Sequence, residues 1–413
     1  MWFSGAAYFV HFLALGFASF PLQTHLRQLL STSSASLVAS VTPVAAVLTY
    51  FLFRFAESRL WTRSPHRLLA IVAVLVAILQ CMLGWQLNRI DARMWFLGPA
   101  VDAGIGLLML GCAHSSCMTL LNHIGVATMK EYAYTVRAAG SAGYMLAVIL
   151  MGSLWSNSDF VAKNHLFLAC SISLVHVAVA SIGAWYLARR ESTEIGHSPH
   201  RASVGTVGQR HESDEGKKDK AIAGEAKESV SPTAWWGLLA LVWLVAMCEM
   251  SYGLYSHEFL TKTYGSSGYF LFAGAIAIEI ALLLGMPRLP GLRDRLLFVG
   301  PLGWLSLLVG CLLAIAGLMP MGFLAMAMAL NCPFQISANS HAHKMNESIL
   351  GVASMTLAQS LGYMSATILS AIVSVGSNGP RNLWMCMIPV AATALMLSIW
   401  KLRTTREQLH MSN

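Results

Sequence analysis

This chain of 413 residues is 56% hydrophobic and only 11% charged, with a mean hydropathy of +0.60. Soluble domains carry about 25% charged residues, so a water-soluble globular protein is excluded. The net charge of +8 could suggest a polyanionic partner, but the basic residues lie between long apolar segments, where membrane topology explains them without nucleic acid.

Apolar runs of about 18 residues or more predict twelve membrane-crossing helices. They fall near 2–21, 37–55, 67–86, 95–120, 135–155, 165–188, 234–257, 268–287, 295–317, 320–340, 349–375 and 382–401. The first has no basic region ahead of it and is read as a retained helix, not a cleaved leader.

With the N-terminus inside, the cytoplasmic side receives Arg54, Arg59, Arg63, Arg67, Lys130, the eight basic residues of 189–233, Arg288, Arg293, Arg295, Lys344, Lys401, Arg403 and Arg406. The outer side receives Arg27, Arg89, Arg93, Lys163, Lys262 and Arg381, and Arg137 lies within a span. This imbalance predicts an even number of spans with both termini cytoplasmic, in an inner (cytoplasmic) membrane. Between the sixth and seventh spans, 189–233 is rich in Lys, Glu, Ser, Gly and His and lacks apolar periodicity, as expected of a flexible linker. The predicted domains are a six-helix bundle over 1–188, the linker over 189–233, and a second six-helix bundle over 234–413.

The eight cysteines all fall within or beside apolar segments, which predicts neither a disulfide framework nor a zinc motif. No HExxH, GxSxG or phosphate-loop pattern occurs, and no enzyme, cofactor or metal is expected.

The polar residues inside the spans carry the functional signal. Glu279 lies near the middle of Gly268–Pro287, an otherwise uncharged run. A carboxylate there costs roughly 2.5–3.5 kcal/mol on insertion scales, and such residues mark ion or substrate pathways. Arg137 is its natural complement from the other half of the chain. A contact between them could form and break as the halves move, or serve as a static inter-helix bridge. Arg137 cannot lose its proton, whereas a carboxylate can be neutralised by one, which makes Glu279 the candidate proton-coupling group.

Glu249 is a second mid-membrane acid, a proton acceptor or a substrate ligand, with Tyr252 and Tyr255 three and six residues on as hydroxyl donors or interfacial aromatics. Asn331, Gln335 and Asn339 recur every four residues and form one polar stripe, cavity lining or interhelical glue. Asp102 fits the outer cavity or the headgroup region equally well. His11, His114 and His176 are intramembrane histidines, proton relays or locally hydrogen-bonded side chains. His341 and His343, two apart on a helix, make a poor metal pair.

Several motifs carry a family resemblance. Val136–Met145 (VRAAGSAGYM) resembles the Arg-x-x-Gly-(Ser/Thr)-x-Gly-(Phe/Tyr) signature of a fifth membrane helix; Thr119–Ile124 (TLLNHI), Ala277–Ile280 (AIEI) and Gln335–Lys344 (QISANSHAHK) are similar to fourth-, eighth- and tenth-helix motifs. Together with the six-plus-six layout, they resemble the major facilitator superfamily, in its branch of nucleoside:proton symporters and phenylpropionate permeases, and distantly lactose permease. Arg54–Arg67 occupies the place of that superfamily's Gly-x-x-x-Asp-Arg loop, with Glu57 for the aspartate and no glycine.

The resemblance implies an all-α integral membrane fold of two pseudo-symmetric six-helix bundles around a central site. It also implies that Arg137 and Glu279 line the cavity and that Ser141 and Asn122 contribute hydrogen bonds. The branch's tenth-helix acid falls on Cys332, and the glutamate and histidine of lactose permease on Asn331 and Met328. Sugar-type recognition and the usual proton site are therefore altered.

The expected function is a secondary active transporter. It would take up a small polar organic solute, nucleoside-like, together with protons, and work as a monomer by alternating access. Arg137, Ser141, Asn122, Glu249, Asn331 and Gln335 would bind substrate, and Glu279 would couple protons. An exporter of amphipathic compounds and a non-transporting sensor or enzyme on the same scaffold remain the alternatives.

Overall fold

A computed structural model of the chain describes residues 2–30, 38, 40–60, 65–88, 98–129, 132–155, 159–196, 232–265, 267–288, part of 305–316, 321–345, 349–373 and 379–411. Eleven long helices occupy these residues and no strand occurs among them. In chain order they are α1 (Trp2–Leu29), α2 (Val41–Leu60), α3 (Pro65–Leu87), α4 (Pro99–Met129), α5 (Ala133–Trp155), α6 (Asp159–Gly196), α7 (Pro232–Tyr264), α8 (Ser267–Gly285), α9 (Met321–Met345), α10 (Ile349–Val373) and α11 (Gly379–Met411). Helical residues recur between 305 and 315, within the predicted ninth span.

Most of these segments are apolar on every face, the pattern of helices that bury one side against protein and turn the other to lipid. Ile71, Ile78, Leu174, Trp185, Phe270, Ile278, Ile372 and Met396 all stand outward, at least 49% exposed. Eight of the described helices are long and apolar enough to cross a bilayer, so the chain is a multi-pass membrane protein.

Helix ends follow local chemistry. Gly265 takes a positive φ of 58° immediately after α7, the left-handed terminator that glycine adopts without a Cβ penalty, and α8 starts two residues later. The predicted linker differs from the structure at its start. α6 continues through Gly196, since Ala188, Arg189, Arg190 and Glu191 are strong helix formers that outlast the apolar span. The remainder of the linker, 197–231, lies outside the described residues.

Packing separates local cores from cross-half contacts. One buried cluster is built wholly from residues 238–394, another wholly from residues 17–169. Two smaller clusters join the halves. Ala133, Tyr134 and Ala138 of α5 pack with Leu283 of α8, Met286 just beyond it, and Cys332 and Ile336 of α9; Val148 packs with Ala273 and Ile276. α2 also lies against α10. The α5–α8 pairing sets the site. On α8, Ala275, Ile276, Glu279 and Leu283 share the buried face, and Phe270, Ile278 and Leu284 the exposed one. Glu279, only 6% exposed, therefore faces protein and not acyl chains.

Glycines permit the closest approaches. A Cβ on Gly143 would overlap the carbonyl oxygen of Phe9 in α1, and one on Gly362 would overlap that of Trp243 in α7. Both obstacles are backbone, which cannot rotate away. Gly143→Ala and Gly362→Ala should each lower the unfolding midpoint in detergent, by about 1–3 kcal/mol of overpacking. Gly274→Ala, whose Cβ would meet nothing within 4 Å, should stay within about 0.5 kcal/mol of the parent. Tryptophan fluorescence during thermal unfolding reads the difference.

Candidate functional site

Arg137 sits in the second turn of α5, where the helix faces both α1 and the second half of the chain. Its guanidinium carbon lies 4.3 Å from the centroid of the Phe12 ring, close enough for a cation–π contact. Its Nη2 donates to Cys332 Sγ at 3.5 Å, across the two halves. Its Nη1 is buried without a partner. Cys332 in turn hydrogen-bonds Glu279, and Ser141 Oγ donates to Glu279 Oε1 at 2.5 Å. Arg137, Cys332, Glu279 and Ser141 thus form one chain of contacts from α5 through α9 and α8 and back to α5.

Arg137 and Glu279 interact electrostatically, with Cys332 bonded to both. A cation and an anion in a low-dielectric interior each cost several kcal/mol unless paired, which is the physical reason they converge. Ser141 sits one turn beyond Arg137 on the same face of α5, so the helix repeat itself presents both groups to α8.

A second carboxylate belongs to the same region. Glu249, on α7, accepts from Gln335 Nε2 at 3.5 Å and hydrogen-bonds Asn331 and Tyr363. Tyr363 Oη accepts from Gln359 Nε2 at 2.8 Å, and the two carboxylates feel one another. The four-residue spacing of the α9 stripe holds Asn331 and Gln335 on Glu249, while Asn331 Oδ1 and Asn339 Oδ1 remain buried and unpartnered. Pro333 lies inside α9 between them, in the region where a membrane helix departs from regularity only beside protein or a cavity.

These groups border a cavity of about 590 Å³. Arg137, Asn122, Glu249, Cys332, Gln335 and Asn339 line it, as do Tyr8, Phe12, His114 and Tyr363. Tyr8 Oη donates to Asn122 Oδ1 at 3.0 Å and its ring stacks with Phe12. The lining extends to Leu26 at the end of α1 and Thr42 at the start of α2. Glu279, Ser141 and Asn331 do not line the cavity; they stand behind its wall, joined to it through Cys332, Arg137 and Glu249.

Other sequence-predicted residues are distributed differently. Asp102 is buried in the first turn of α4 and does not line the cavity. The side chains of Tyr252 and Tyr255 lie outside the described residues. His343 meets a partner that its spacing from His341 does not suggest: its ring centroid is 5.7 Å from that of His123 on α4, a contact across the halves. His11, His114 and His176 cluster, with ring centroids 5.4 Å apart for His11–His114 and 5.2 Å for His11–His176. Cys332, Phe12, Tyr8 and Tyr363 are the site residues that sequence reasoning missed or read only as a departure. Each looks like ordinary helix filling until the helices are assembled.

No family model matches the chain, and no curated protein matches it. Solved structures do match along nearly its whole length. The xylose transporter XylE from E. coli, in a partially occluded inward-open conformation, superposes with a TM-score of 0.63 at 12% identity, covering 97% of each chain. The chain shares the all-α membrane fold of that structure. A bacterial homologue of the iron transporter ferroportin gives a TM-score of 0.62 at 12% identity, over 97% of this chain and 98% of its own. The nucleoside transporter NupG gives 0.56 at 14% identity over the same shares. At these identities the likeness establishes the all-α membrane fold alone. Within this fold, the buried polar contacts join segments from both halves of the chain.

The contact chain should be energetically coupled. In a double-mutant cycle of Arg137→Ala and Glu279→Gln, the destabilisations should fall short of additivity by about 0.5–3 kcal/mol, since either change alone strands a buried polar group. Denaturant unfolding in mild detergent gives the coupling; strict additivity would show the two side chains to be independent.

Proposed function

We propose that the protein is a secondary active transporter that moves a small polar organic solute, nucleoside-like, together with protons by alternating access. The observation that carries this reading is the junction of Arg137, Cys332 and Glu279 on and behind the wall of a cavity bordered by both halves. A cavity of about 590 Å³ falls in the range of about 300–1,000 Å³ typical of small-molecule sites. Its polar lining of Asn122, Gln335, Asn339 and Tyr363 offers donors and acceptors in both directions, which suits a neutral polar solute. Tyr8 and Phe12 offer ring faces to a planar base. The neighbours named above transport xylose, iron and nucleosides by their names, which agrees with a transport role and leaves the solute to this chain's own lining.

In this mechanism the bundles 1–188 and 234–413, tethered by 189–233, rock about the cavity. In the orientation set by the basic loops, the lining near Leu26 and Thr42 lies toward the outside. Arg137 faces solute on one side and Cys332 on the other. A solute acceptor that takes over its Nη1 or Nη2 weakens its hold on Glu279, which then carries the proton across with the moving half. Glu249, held by Gln335, Asn331 and Tyr363, orients the solute from the opposite wall.

Proteoliposomes test the reading directly. The parent should accumulate labelled nucleoside under an inward proton gradient and lose accumulation with an uncoupler. Glu279→Gln should lose gradient-driven uptake while keeping exchange of solute between the two sides. Gradient-driven uptake by that variant at the parent's rate would refute its coupling role. Binding without flux in the parent would favour a sensor.

A further inference from the structure

The histidine cluster of the first half is not used by the transport reading. His11 of α1, Cys117 of α4 and His176 of α6 are each at most 1% exposed, and their potential ligand atoms all lie within 4.8 Å of one another. His11 Nε2 and both ring nitrogens of His176 are buried without any hydrogen-bond partner. Unpartnered imidazole nitrogens in a dry interior are costly, since buried polar groups in folded proteins nearly always find a partner. One nitrogen from each ring, converging with a free cysteine, calls for a common partner at their centre. Two histidine nitrogens and one sulfur, no more than 4.8 Å from one another, are the donor set of a borderline-soft transition cation.

We propose that His11, Cys117 and His176 bind one divalent transition-metal ion of the Zn²⁺ class, fastening α1, α4 and α6 together inside the first half. Binding displaces the Cys117 thiol proton to solvent, leaving a thiolate and two neutral imidazoles on the ion. His114, one turn before Cys117, supplies the surroundings. Its ring adjoins that of His11, its Nδ1 is also buried and unpartnered, and it lines the central cavity, which gives the ion a route in. The far nitrogen of His114 contacts Gln80 at 3.3 Å, and Ser173 holds Gln80 at 2.7 Å. Gln80 and Ser173 thus fix the orientation of the His114 ring beside the site. The site is independent of the transported solute and stands whether or not the transport reading does.

Cobalt(II) titration of the purified full-length protein in detergent tests it. One equivalent should bind at about micromolar concentration or tighter, with a thiolate-to-cobalt charge-transfer band in the near ultraviolet. Cys117→Ser should abolish that band, and His11→Gln and His176→Gln should weaken binding by at least about tenfold. His123→Gln, at the half-buried His123–His343 pair, should leave it unchanged. If the variants fail to fold, X-ray absorption of the zinc-loaded parent decides, with one sulfur at about 2.3 Å and nitrogens at about 2.0–2.1 Å expected. A zinc shell without sulfur, no charge-transfer band at micromolar cobalt, or unchanged binding by Cys117→Ser and His176→Gln would overturn the site.

Discussion

A guanidinium that cannot lose its proton, set inside a bilayer, must be satisfied by whatever its helix can reach. For Arg137 that set spans the molecule: the Phe12 ring from α1, and Cys332 and Glu279 from the second half. The electrostatic demand of one side chain thus adds a polar link between segments that apolar clusters on α5, α8 and α9 already bring together. Lipid supplies no hydrophobic force to hold helices against each other, so such polar contacts, with close backbone approach at small residues, decide which faces meet.

The two kinds of contact have different mechanical character. Gly143 against Phe9 and Gly362 against Trp243 lock helices within their own halves by backbone contact. Between the halves, apolar clusters on α5, α8 and α9 surround a polar junction made of a 3.5 Å sulfur contact and hydrogen bonds to a carboxylate. Among the cavity-lining residues, Nη1 of Arg137 and Oδ1 of Asn339 are buried without a hydrogen-bond partner.

How much of this was legible in the sequence depended on whether the signal was local. Spans were legible because twenty apolar residues in a row have one physical interpretation. Glu279 was legible because a lone carboxylate in such a run is expensive wherever it points, and the α9 stripe because its four-residue period lies within one helix. Cys332 could not be read the same way. A cysteine in an apolar helix resembles a small hydrophobe, and only assembly places it between Arg137 and Glu279. The His11–Cys117–His176 group lacked any spacing signal, since its members come from three helices and converge only in the packed bundle. His343 is a similar case, meeting His123 instead of a neighbour on its own helix. The start of the linker was misplaced because hydropathy marks where a span leaves the membrane, not where its helix ends.

The account rests on a hydrated chamber that reaches the contact chain between the halves, and the native Cys332 reports on it. The measurement is mass-spectrometric mapping of thiols in membranes treated with a small hydrophilic methanethiosulfonate. Cys332, on the cavity wall, should be modified, and Cys81, exposed on the outer surface of α3 toward lipid, should not. A folded protein in which Cys332 stays unmodified would mean the contact chain is sealed from water, and the account would fail.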